Sequence, residues 1–351
     1  MLKFLKKIYK NYKNNKFKQY IISQHHNVTS YSSNVFDAQK YDFSLSESST
    51  YKLNEQSYKD YITTWEAYQP RMKNNKYFLL SDDKYVFSMT FGNYIEVPQT
   101  YAIIQDGNII SLFEQINEEN VYDFIVEKNG AVIKDRCGCD GFGIYVLNVK
   151  DGEVFYKDNK VDKKKIIEYI KKFNNGIIQS KFTQSYFENE LYDKSINTVR
   201  VISMRKKGEN FHEIVAALQR IGTSRSAPVD NFAQGGGSAL IDIETGELGA
   251  MTCIDSFDDE GNRIFYDVHP DSGAQIKGKI IPYWAEIKDK IHEVTNKLPF
   301  FEYIAWDIVI KEEGIALIET NMKSSLDLFQ AHRGMRNESL GQKYREQGYI
   351  R

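Results

Sequence analysis

The chain has 351 residues and is 41% hydrophobic, which is enough for a substantial core and indicates two or three lobes. Its 46 basic and 48 acidic residues give a net charge of −2, so the overall charge does not indicate a nucleic-acid partner. Three cysteines, Cys137, Cys139 and Cys253, are too few for a disulfide framework or a four-ligand zinc site, and a reducing cytoplasm fits best. No apolar run reaches roughly eighteen residues, and no signal-peptide core begins the chain, so neither a membrane span nor secretion by that route is expected.

The first twenty residues carry seven lysines and no acidic residue. Apolar side chains recur there at helical spacing, at Leu2, Leu5, Ile8 and Tyr12. One interpretation is a basic amphipathic helix that makes peripheral contact with an anionic membrane, placing a cytoplasmic protein at the inner face of that membrane. The favoured alternative is a solvated helix or frayed tail whose apolar stripe packs on the body of the protein.

The pattern then predicts a series of elements in chain order. A helical stretch is expected near residues 54–68, a strand over 77–80, a short helix after Lys84, and a second strand after Val97 and Pro98. Further elements follow: β-like runs over 124–127 and 131–134, a hairpin over 143–149 and 153–157, a helix over 162–173, and strands over 176–182, 195–203, 212–221 and 239–243, with a helix over 283–296.

A glycine-rich stretch follows the strand that carries Lys134. Three glycines fall within six residues there: Gly138, Gly141 and Gly143. Bare backbone N–H groups could close over phosphates at this stretch while the lysine supplies a point charge. A glycine-rich hairpin tip without function is the alternative, because the pattern is neither a Walker motif nor a dinucleotide fingerprint.

Two neighbouring predicted strands each carry one arginine, Arg200 and Arg220. Together they would form a planar, permanently charged clamp suited to a carboxylate or a phosphate. Two structural ion pairs are the alternative. Farther along, Asn231 and Gly236 lie in a glycine-rich run that brings bare backbone close to a ligand or simply turns, and His269 lies in a polar loop as a candidate for contacting an acceptor substrate.

The segment 303–323 predicts a hairpin, because two apolar runs flank a short polar insert. If the loop has three residues and ends in a left-handed Gly314, residue 311 pairs with 315 and Asp307 lies opposite Glu319. Side chains alternate along a strand, so Asn321 joins Glu319 on the same face.

This predicted face carries two carboxylates and an amide oxygen. Neighbouring carboxylates repel one another and are costly to desolvate, so Asp307 and Glu319 imply a positive group between them. An all-oxygen set of few protein ligands suits Mg²⁺, which takes its other ligands from water and nucleotide phosphates, and Mn²⁺ is an alternative. An ordinary surface hairpin with one polar face is the other interpretation.

Taken in sequence, residues 77–330 resemble the ATP-grasp superfamily. Asp307, Glu319 and Asn321 look like its Asp…Glu-x-Asn metal motif, the most specific part of the resemblance. The implied fold is α+β: two α+β lobes clasp ATP, Mg²⁺ bridges its phosphates, and a helical, basic extension precedes them. The implied segments are the N-terminal extension over 1–70, an α/β part over 71–125, a small lobe with the glycine-rich loop over 126–185, and a large lobe with the metal site over 186–351.

The resemblance also implies residue roles. Lys134 matches the phosphate lysine of the family and Lys84 its earlier nucleotide lysine. The glycine-rich loop would cover the phosphates, and the hinge that holds adenine would fall at Gln179, Ser180, Lys181 and Phe182, with Gln179 where the family usually has an acid. The arginines and Lys134 would be catalytic, and the acceptor substrate would meet Asn231, Gly236 and His269.

The arginine pair and the segment after Asn231 are similar to those of tubulin tyrosine ligase and the ribosomal-protein glutamate ligases. The run from Asn197 through Asn231, His269 and Gly273 looks more specifically like the sugar-transfer-associated ATP-grasp proteins of bacterial polysaccharide biosynthesis. An ATP-dependent carboxylate-amine ligase is therefore expected, with small-molecule or glycan-linked carboxylate and amine substrates and no nucleic acid. A kinase acting on a sugar hydroxyl is the alternative, and a nucleotide-binding module without turnover is the third possibility.

Overall fold

The computed structural model describes residues 15–23, 36–112, 115–138, 143–322 and 324–350. The chain divides into two compact units, one formed by Met1–Lys73 with Lys323–Arg351 and the other by Asn74–Met322. Within the described part of the chain, no helix is both long enough and apolar enough to cross a bilayer. Residues 15–20 of the predicted basic segment are helical, within a helix that continues to residue 23, whereas residues 1–14 lie outside the described ranges.

The unit Asn74–Met322 contains two antiparallel sheets. The first has seven strands in the order β2-β1-β7-β3-β4-β5-β6. Its strands are β1 (Thr100–Gln105), β2 (Asn108–Ser111), β3 (Gly130–Asp135), β4 (Tyr145–Lys150), β5 (Glu153–Tyr156), β6 (Asn159–Lys160) and β7 (Asn175–Gln179). The predicted boundary at residue 125/126 passes through this sheet, since β1 and β2 pair in it beside β7.

One face of the seven-stranded sheet is covered by two helices, Val121–Glu127 and Lys163–Ile170. Apolar side chains from these helices pack on Ala131 and Ile133 of β3 and on Ile178 of β7. Because side chains alternate along a strand, the residues next to these core positions project from the opposite face. That face therefore carries Lys134 and Gln179.

The second sheet has six antiparallel strands in the order β11-β10-β9-β8-β12-β13. They are β8 (Thr198–Arg205), β9 (His212–Ile221), β10 (Gly237–Ile241), β11 (Leu248–Cys253), β12 (Tyr303–Ile310) and β13 (Ile315–Asn321). All eight residues of β12 are buried, as expected of an apolar, β-branched run between two other strands. The helices Lys84–Phe91, Tyr186–Leu191 and Trp284–Lys297 contribute to the apolar cluster on one face of this sheet.

The remaining helices are short. In the unit Asn74–Met322 the helix Leu79–Asp82 and 3₁₀ turns at Asn75–Tyr77 and Phe232–Gln234 complete the set of described helical elements. Besides the helix over residues 15–23, the helices outside it are Ala38–Tyr41 (3₁₀), Leu45–Tyr51, Tyr58–Asp60 (3₁₀), Thr64–Ala67, Gln69–Asn74 (which ends at the unit boundary), Asp327–Gln330 and Ser339–Glu346.

The unit formed by the two ends of the chain is held by buried side-chain bonds. The Gln330 amide accepts from Ile62 N at 2.7 Å and donates to Ile62 O at 2.9 Å, so one side chain completes the backbone bonding of a distant segment. The guanidinium of Arg336 donates to both carboxylate oxygens of Glu66. These contacts join the segment after β13 to residues 62–66.

Two element predictions were wrong. Residues 77–80 lie in helical turns rather than in a strand, and residues 124–127 end the helix Val121–Glu127. Both runs are short and apolar, and such runs do not distinguish a buried strand from one face of a helix by periodicity. Strands were correctly predicted over residues 212–221, where the bounds agree with β9, and in the hairpin of β4 and β5.

Candidate active site

Two lysines mark the seven-stranded side of the candidate site. The Lys134 side chain is 8% exposed, and burial together with the nearby charge of Lys84 lowers its pKa to about 8, although Glu319 acts in the opposite direction. Lys134 lies on β3 of one sheet and Glu319 on β13 of the other, so both sheets contribute charged groups to the same site. The two predicted nucleotide lysines therefore lie close together and repel each other.

The second lysine is tied to the start of the glycine-rich stretch. Lys84 Nζ donates to Gly138 O at 2.6 Å, and Lys84 N donates to Arg136 O at 3.0 Å. An ammonium group has three N–H donors, so Lys84 can hold this backbone and still donate to a phosphate oxygen. The rest of the predicted loop, including Gly141, lies outside the described residues, and Gly143 at its end adopts a left-handed φ of +67°.

Asp83 supports Lys84 from the preceding position. Its Oδ1 accepts from the backbone N–H groups of Tyr85 and Val86, which caps the helix Lys84–Phe91. Its Oδ2 lies 2.9 Å from Arg136 Nε, an ion pair without the alignment of a good hydrogen bond. Sequence analysis assigned Asp83 no role, although an aspartate directly before a predicted helix is a recognisable N-cap signal.

The four predicted hinge residues lie at and just after the end of β7. Gln179 is 1% exposed; its Nε2 donates to Thr100 Oγ1 at 3.0 Å, while its Oε1 has no hydrogen-bond partner in the described structure. Ser180 exchanges backbone and hydroxyl bonds with Gln99. Lys181 donates to Asn148 Oδ1 at 2.7 Å, and burial lowers its pKa. Phe182 is half-buried.

The β12–β13 hairpin confirms the predicted pairing of Asp307 with Glu319 but reaches it by another register. The ladder begins one residue away from the prediction, with Ile310 opposite Ile315, and Gly314 is left-handed as expected. A β-bulge then inserts Ile318 between the pairs 308–317 and 307–319. Without this extra residue, Glu319 would lie opposite Trp306 on the packed face of the sheet, so the bulge is what turns Glu319 and Asn321 toward Asp307.

The two predicted arginines converge on Asp307. Arg200 Nε and Nη2 each lie 2.5 Å from one carboxylate oxygen, a bidentate pair, and Arg220 Nη1 donates to Asp307 Oδ2 at 3.0 Å. Burial alone would raise the pKa of the Asp307 carboxyl, but the two guanidinium charges hold it below its usual value. Burial works against the Arg200 charge as well, and the Asp307 carboxylate overcomes this and raises the pKa of the guanidinium.

Asp230 completes this network, and sequence analysis assigned it no role. Its Oδ1 lies 2.7 Å from Arg220 Nη2, and its Oδ2 accepts from Thr198 Oγ1 at 2.5 Å. Burial raises the pKa of the Asp230 carboxyl, although Arg220 and Thr198 act in the opposite direction. Its position directly before Asn231, within the run already singled out, is the signal that could have identified it.

The oxygen atoms of Glu319 and Asn321 fit a divalent cation. Both residues are half-buried, and Asn321 Nδ2 donates to Glu319 Oε1 at 3.0 Å, which leaves one carboxylate oxygen and the amide oxygen for other ligands. Within the described ranges, no three His, Cys, Asp or Glu side chains gather as a metal cage. A small set of hard oxygen ligands completed by water and phosphate is the arrangement that Mg²⁺ prefers.

The predicted acceptor-substrate residues have structural partners. Asn231 accepts from Ala233 N through its side chain, and a Cβ at Gly236 would lie 2.6 Å from Asp230 O, so that position requires glycine. His269 is 1% exposed; its Nε2 is 2.9 Å from Gly222 O, and its Nδ1 accepts from Asp271 N and Ser272 N. Both ring nitrogens of His269 are therefore engaged in holding the loop, and none remains for a substrate.

Comparison with known proteins gives a family match. A family model described as sugar-transfer associated ATP-grasp matches residues 64–342. No curated protein matches the chain.

Several solved structures are similar to parts of the chain. An ADP complex of the N5-carboxyaminoimidazole ribonucleotide synthetase purK is 13% identical, with a TM-score of 0.41, over 74% of this chain and 52% of that one. The ATP-grasp ligase PsnB with a minimal precursor is 14% identical, with a TM-score of 0.39, over 76% and 60%. D-alanyl-alanine synthetase A from Vibrio cholerae is 12% identical, with a TM-score of 0.41, over 76% and 65%. This chain spans about half of the first protein and less than two thirds of each of the three.

Proposed function

Because the chain belongs to the sugar-transfer-associated ATP-grasp family, we propose that it is an ATP-dependent ligase that joins an amine to a carboxylate. The observation that carries this proposal is the pair of buried lysines, Lys84 and Lys134. Two ammonium groups that are withdrawn from water and repel one another need a polyanion to balance them. The phosphates of ATP are such a polyanion.

The residues around the lysines supply the rest of a nucleotide-phosphate site. Gly138 places backbone against Lys84, and Glu319 and Asn321 would hold Mg²⁺ on the other sheet. When bound, Mg²⁺ would neutralise phosphate charge and leave Lys134 to stabilise negative charge on the transferring phosphoryl group. Lys134 keeps its proton at neutral pH, because its pKa of about 8 is still above 7.

The proposed reaction has two steps. A carboxylate oxygen of the acceptor attacks the γ-phosphorus of ATP. The bond between the γ-phosphorus and the oxygen that bridges it to the β-phosphate breaks, so that ADP departs and an acyl phosphate forms. The amine then attacks the carbonyl carbon, phosphate departs and the nitrogen loses a proton, which gives an amide. In this proposal Arg200 and Arg220 bind the acceptor carboxylate or stabilise the phosphoryl group, and no protein side chain becomes covalently modified.

We assign the acceptor to surface-polysaccharide biosynthesis, as a carboxylate on a sugar or glycan. The description of the matching family as sugar-transfer associated supports this assignment. The lysine-rich segment 1–20 supports a protein that works beside membrane-bound glycan intermediates, because a basic segment is attracted to anionic lipid. Both assignments belong to the proposal.

Phosphate release tests the proposed ligase. The protein is incubated with ATP and Mg²⁺ and with uronic acids, nucleotide-linked uronic acids and amino acids, each alone and in pairs. ADP and free phosphate that appear only when a carboxylate and an amine are both present would support ligation, and Lys134→Met should abolish the release while Lys150→Met, on the exposed part of β4, should not.

Other outcomes would contradict the ligase. ADP formation without free phosphate, accompanied by a phosphorylated sugar, would identify a kinase. Nucleotide binding without turnover under every pair of substrates would favour a binding module.

A further inference from the structure

We infer that Asp307 anchors Arg200 and Arg220 and does not bind the divalent cation, so that Glu319 and Asn321 are the ligands that this hairpin supplies. The inference rests on the proposed function, since it presumes that a cation and a nucleotide bind at this site. It corrects the prediction that all three residues of the hairpin face are metal ligands.

The hydrogen bonds of Asp307 are the first support. An ionised carboxylate has about four lone-pair positions. Arg200 Nε takes one on Oδ1, and Arg200 Nη2 and Arg220 Nη1 take two on Oδ2. A cation that needs close, well-aligned oxygen ligands would compete with three charge-assisted hydrogen bonds, including a bidentate pair.

Local charge is the second support. Both partners of Asp307 are guanidinium cations, and a divalent cation on the same carboxylate would be held against both of them. Glu319 also feels positive charge, since it acts on Lys134 and Arg200 at a distance, but its direct hydrogen bond comes from the neutral amide of Asn321. A cation at Glu319 and Asn321 would therefore not have to displace the hydrogen-bonded guanidinium groups that Asp307 holds.

Access is the third support. Asp307 is 3% exposed beneath its arginines, whereas Glu319 and Asn321 are half-buried at the end of the hairpin. The bulge at Ile318 brings these two residues onto the same face as Asp307, but the open oxygen atoms belong to Glu319 and Asn321. Asp307 acts as a positioning residue, because it fixes Arg200 in one bidentate geometry and holds Arg220 from one side while Asp230 holds it from the other.

Mn²⁺ binding in the presence of saturating ADP tests the inference. Electron paramagnetic resonance of free Mn²⁺ gives its Kd for the wild-type protein, Asp307→Asn and Glu319→Gln. Glu319→Gln should weaken Mn²⁺ binding about tenfold or more, since it removes a charged ligand. Asp307→Asn should change the Kd by less than about threefold and should nonetheless lower the turnover number for phosphate release, because the arginines lose their anchor.

Asp307→Asn removes the negative charge that Arg200 and Arg220 share, so this variant could fail to fold. A second variant keeps the inference testable in that case. The double variant Asp307→Asn with Arg200→Gln removes one negative and one positive charge, and its Mn²⁺ Kd should also stay within about threefold of the wild-type value. If Asp307→Asn and the double variant weaken Mn²⁺ binding as much as Glu319→Gln does, the inference about Asp307 is wrong, while the proposed function still stands. A wild-type protein that fails to bind Mn²⁺ with ADP would overturn the proposed function as well.

Discussion

The two sides of the site hold their positive charges in opposite ways. On the six-stranded sheet, Arg200 and Arg220 are matched by Asp307 and Asp230, so the four groups together are neutral. On the other side, Lys84 and Lys134 lie close together, and the acid that acts on Lys134 is Glu319 across the site. The arginines are fixed by the protein itself, whereas the lysines carry charge that a ligand can balance.

Because of this difference, mutations in the arginine network should mainly affect the stability of the fold, whereas mutations of the lysines should mainly affect the binding of an anion. Removing one member of a matched, buried ion network leaves its partners charged and unpaired, which destabilises the fold. Removing a buried lysine that lacks a matched acid relieves a desolvation penalty and weakens binding of an anion instead. A mutation that breaks the arginine network should therefore lower the free energy of unfolding, whereas a mutation that removes the buried lysine should raise it.

The largest effect is expected for Asp307→Ala. Two buried guanidinium groups lose their shared partner, so the free energy of unfolding should fall by about 3–5 kcal/mol. Urea denaturation measures this change. Asp267→Ala, which removes an exposed ion pair with Lys277, is the matched control and should change stability by less than about 1 kcal/mol. Similar losses in the two variants would mean that the arginine network is not held by Asp307.

Lys134→Met should act in the other direction. With its pKa lowered from 10.5 to about 8, charged Lys134 opposes folding at pH 7, and the variant should be more stable by up to about 3 kcal/mol. Urea denaturation at pH 7 measures the gain, with Lys150→Met as the control on the same sheet. A variant less stable than the wild type would show that Lys134 is already balanced by the protein.

The pH dependence sharpens the same comparison. The unfolded chain binds the Lys134 proton more tightly than the folded protein does, so the penalty is fully present below pH 8 and is relieved as pH rises toward 10.5. The stability difference between Lys134→Met and the wild type should shrink over this interval. Denaturation series at several pH values test it, and a difference that stays constant from pH 7 to 10 would contradict the buried, charged lysine.

The smallest effect is expected for Asp83→Asn. Asparagine can still cap the helix Lys84–Phe91, but the ion pair with Arg136 is lost, so stability should fall by about 1 kcal/mol. ADP affinity should fall by less than about tenfold, because the backbone that meets Lys84 is held less firmly. Glu302→Gln breaks the pair with Arg205, in which the arginine is about as exposed as Arg136 but the acid is less buried than Asp83; it should cost no more stability than Asp83→Asn and should leave ADP affinity unchanged.

The hairpin shows how far sequence reasoning reached and where it stopped. The pairing of Asp307 with Glu319 was predictable, because apolar runs and a turn glycine determine that the two strands meet. The bulge at Ile318 was not, since a one-residue insertion in a ladder leaves no periodic signal in so short a strand. The correct pair was therefore predicted from a register that is one residue off at the turn.

The arginines show a second limit. Their positions on two neighbouring strands were predicted from the β-rich runs around them, and both an anion clamp and structural ion pairs were considered. Their contacts with Asp307 arise from the pairing of β12 with β8 and of β8 with β9, and the contact of Arg220 with Asp230 comes from the loop after β9, which local patterns do not encode. Lys134 was found because a lysine in a β-rich run before glycines is locally unusual, but its closeness to Lys84 also required the tertiary fold.

Calorimetric titration of Mg²⁺-ADP into the wild-type protein, Lys134→Met and Lys150→Met tests the central claim most directly, namely that the lysine pair forms a nucleotide-phosphate site. The wild type and Lys150→Met should bind with the same Kd, and Lys134→Met should bind about tenfold more weakly or worse, since it loses a buried charge against phosphate. Equal affinity of Lys134→Met and the wild type, or no binding by the wild type, would contradict it.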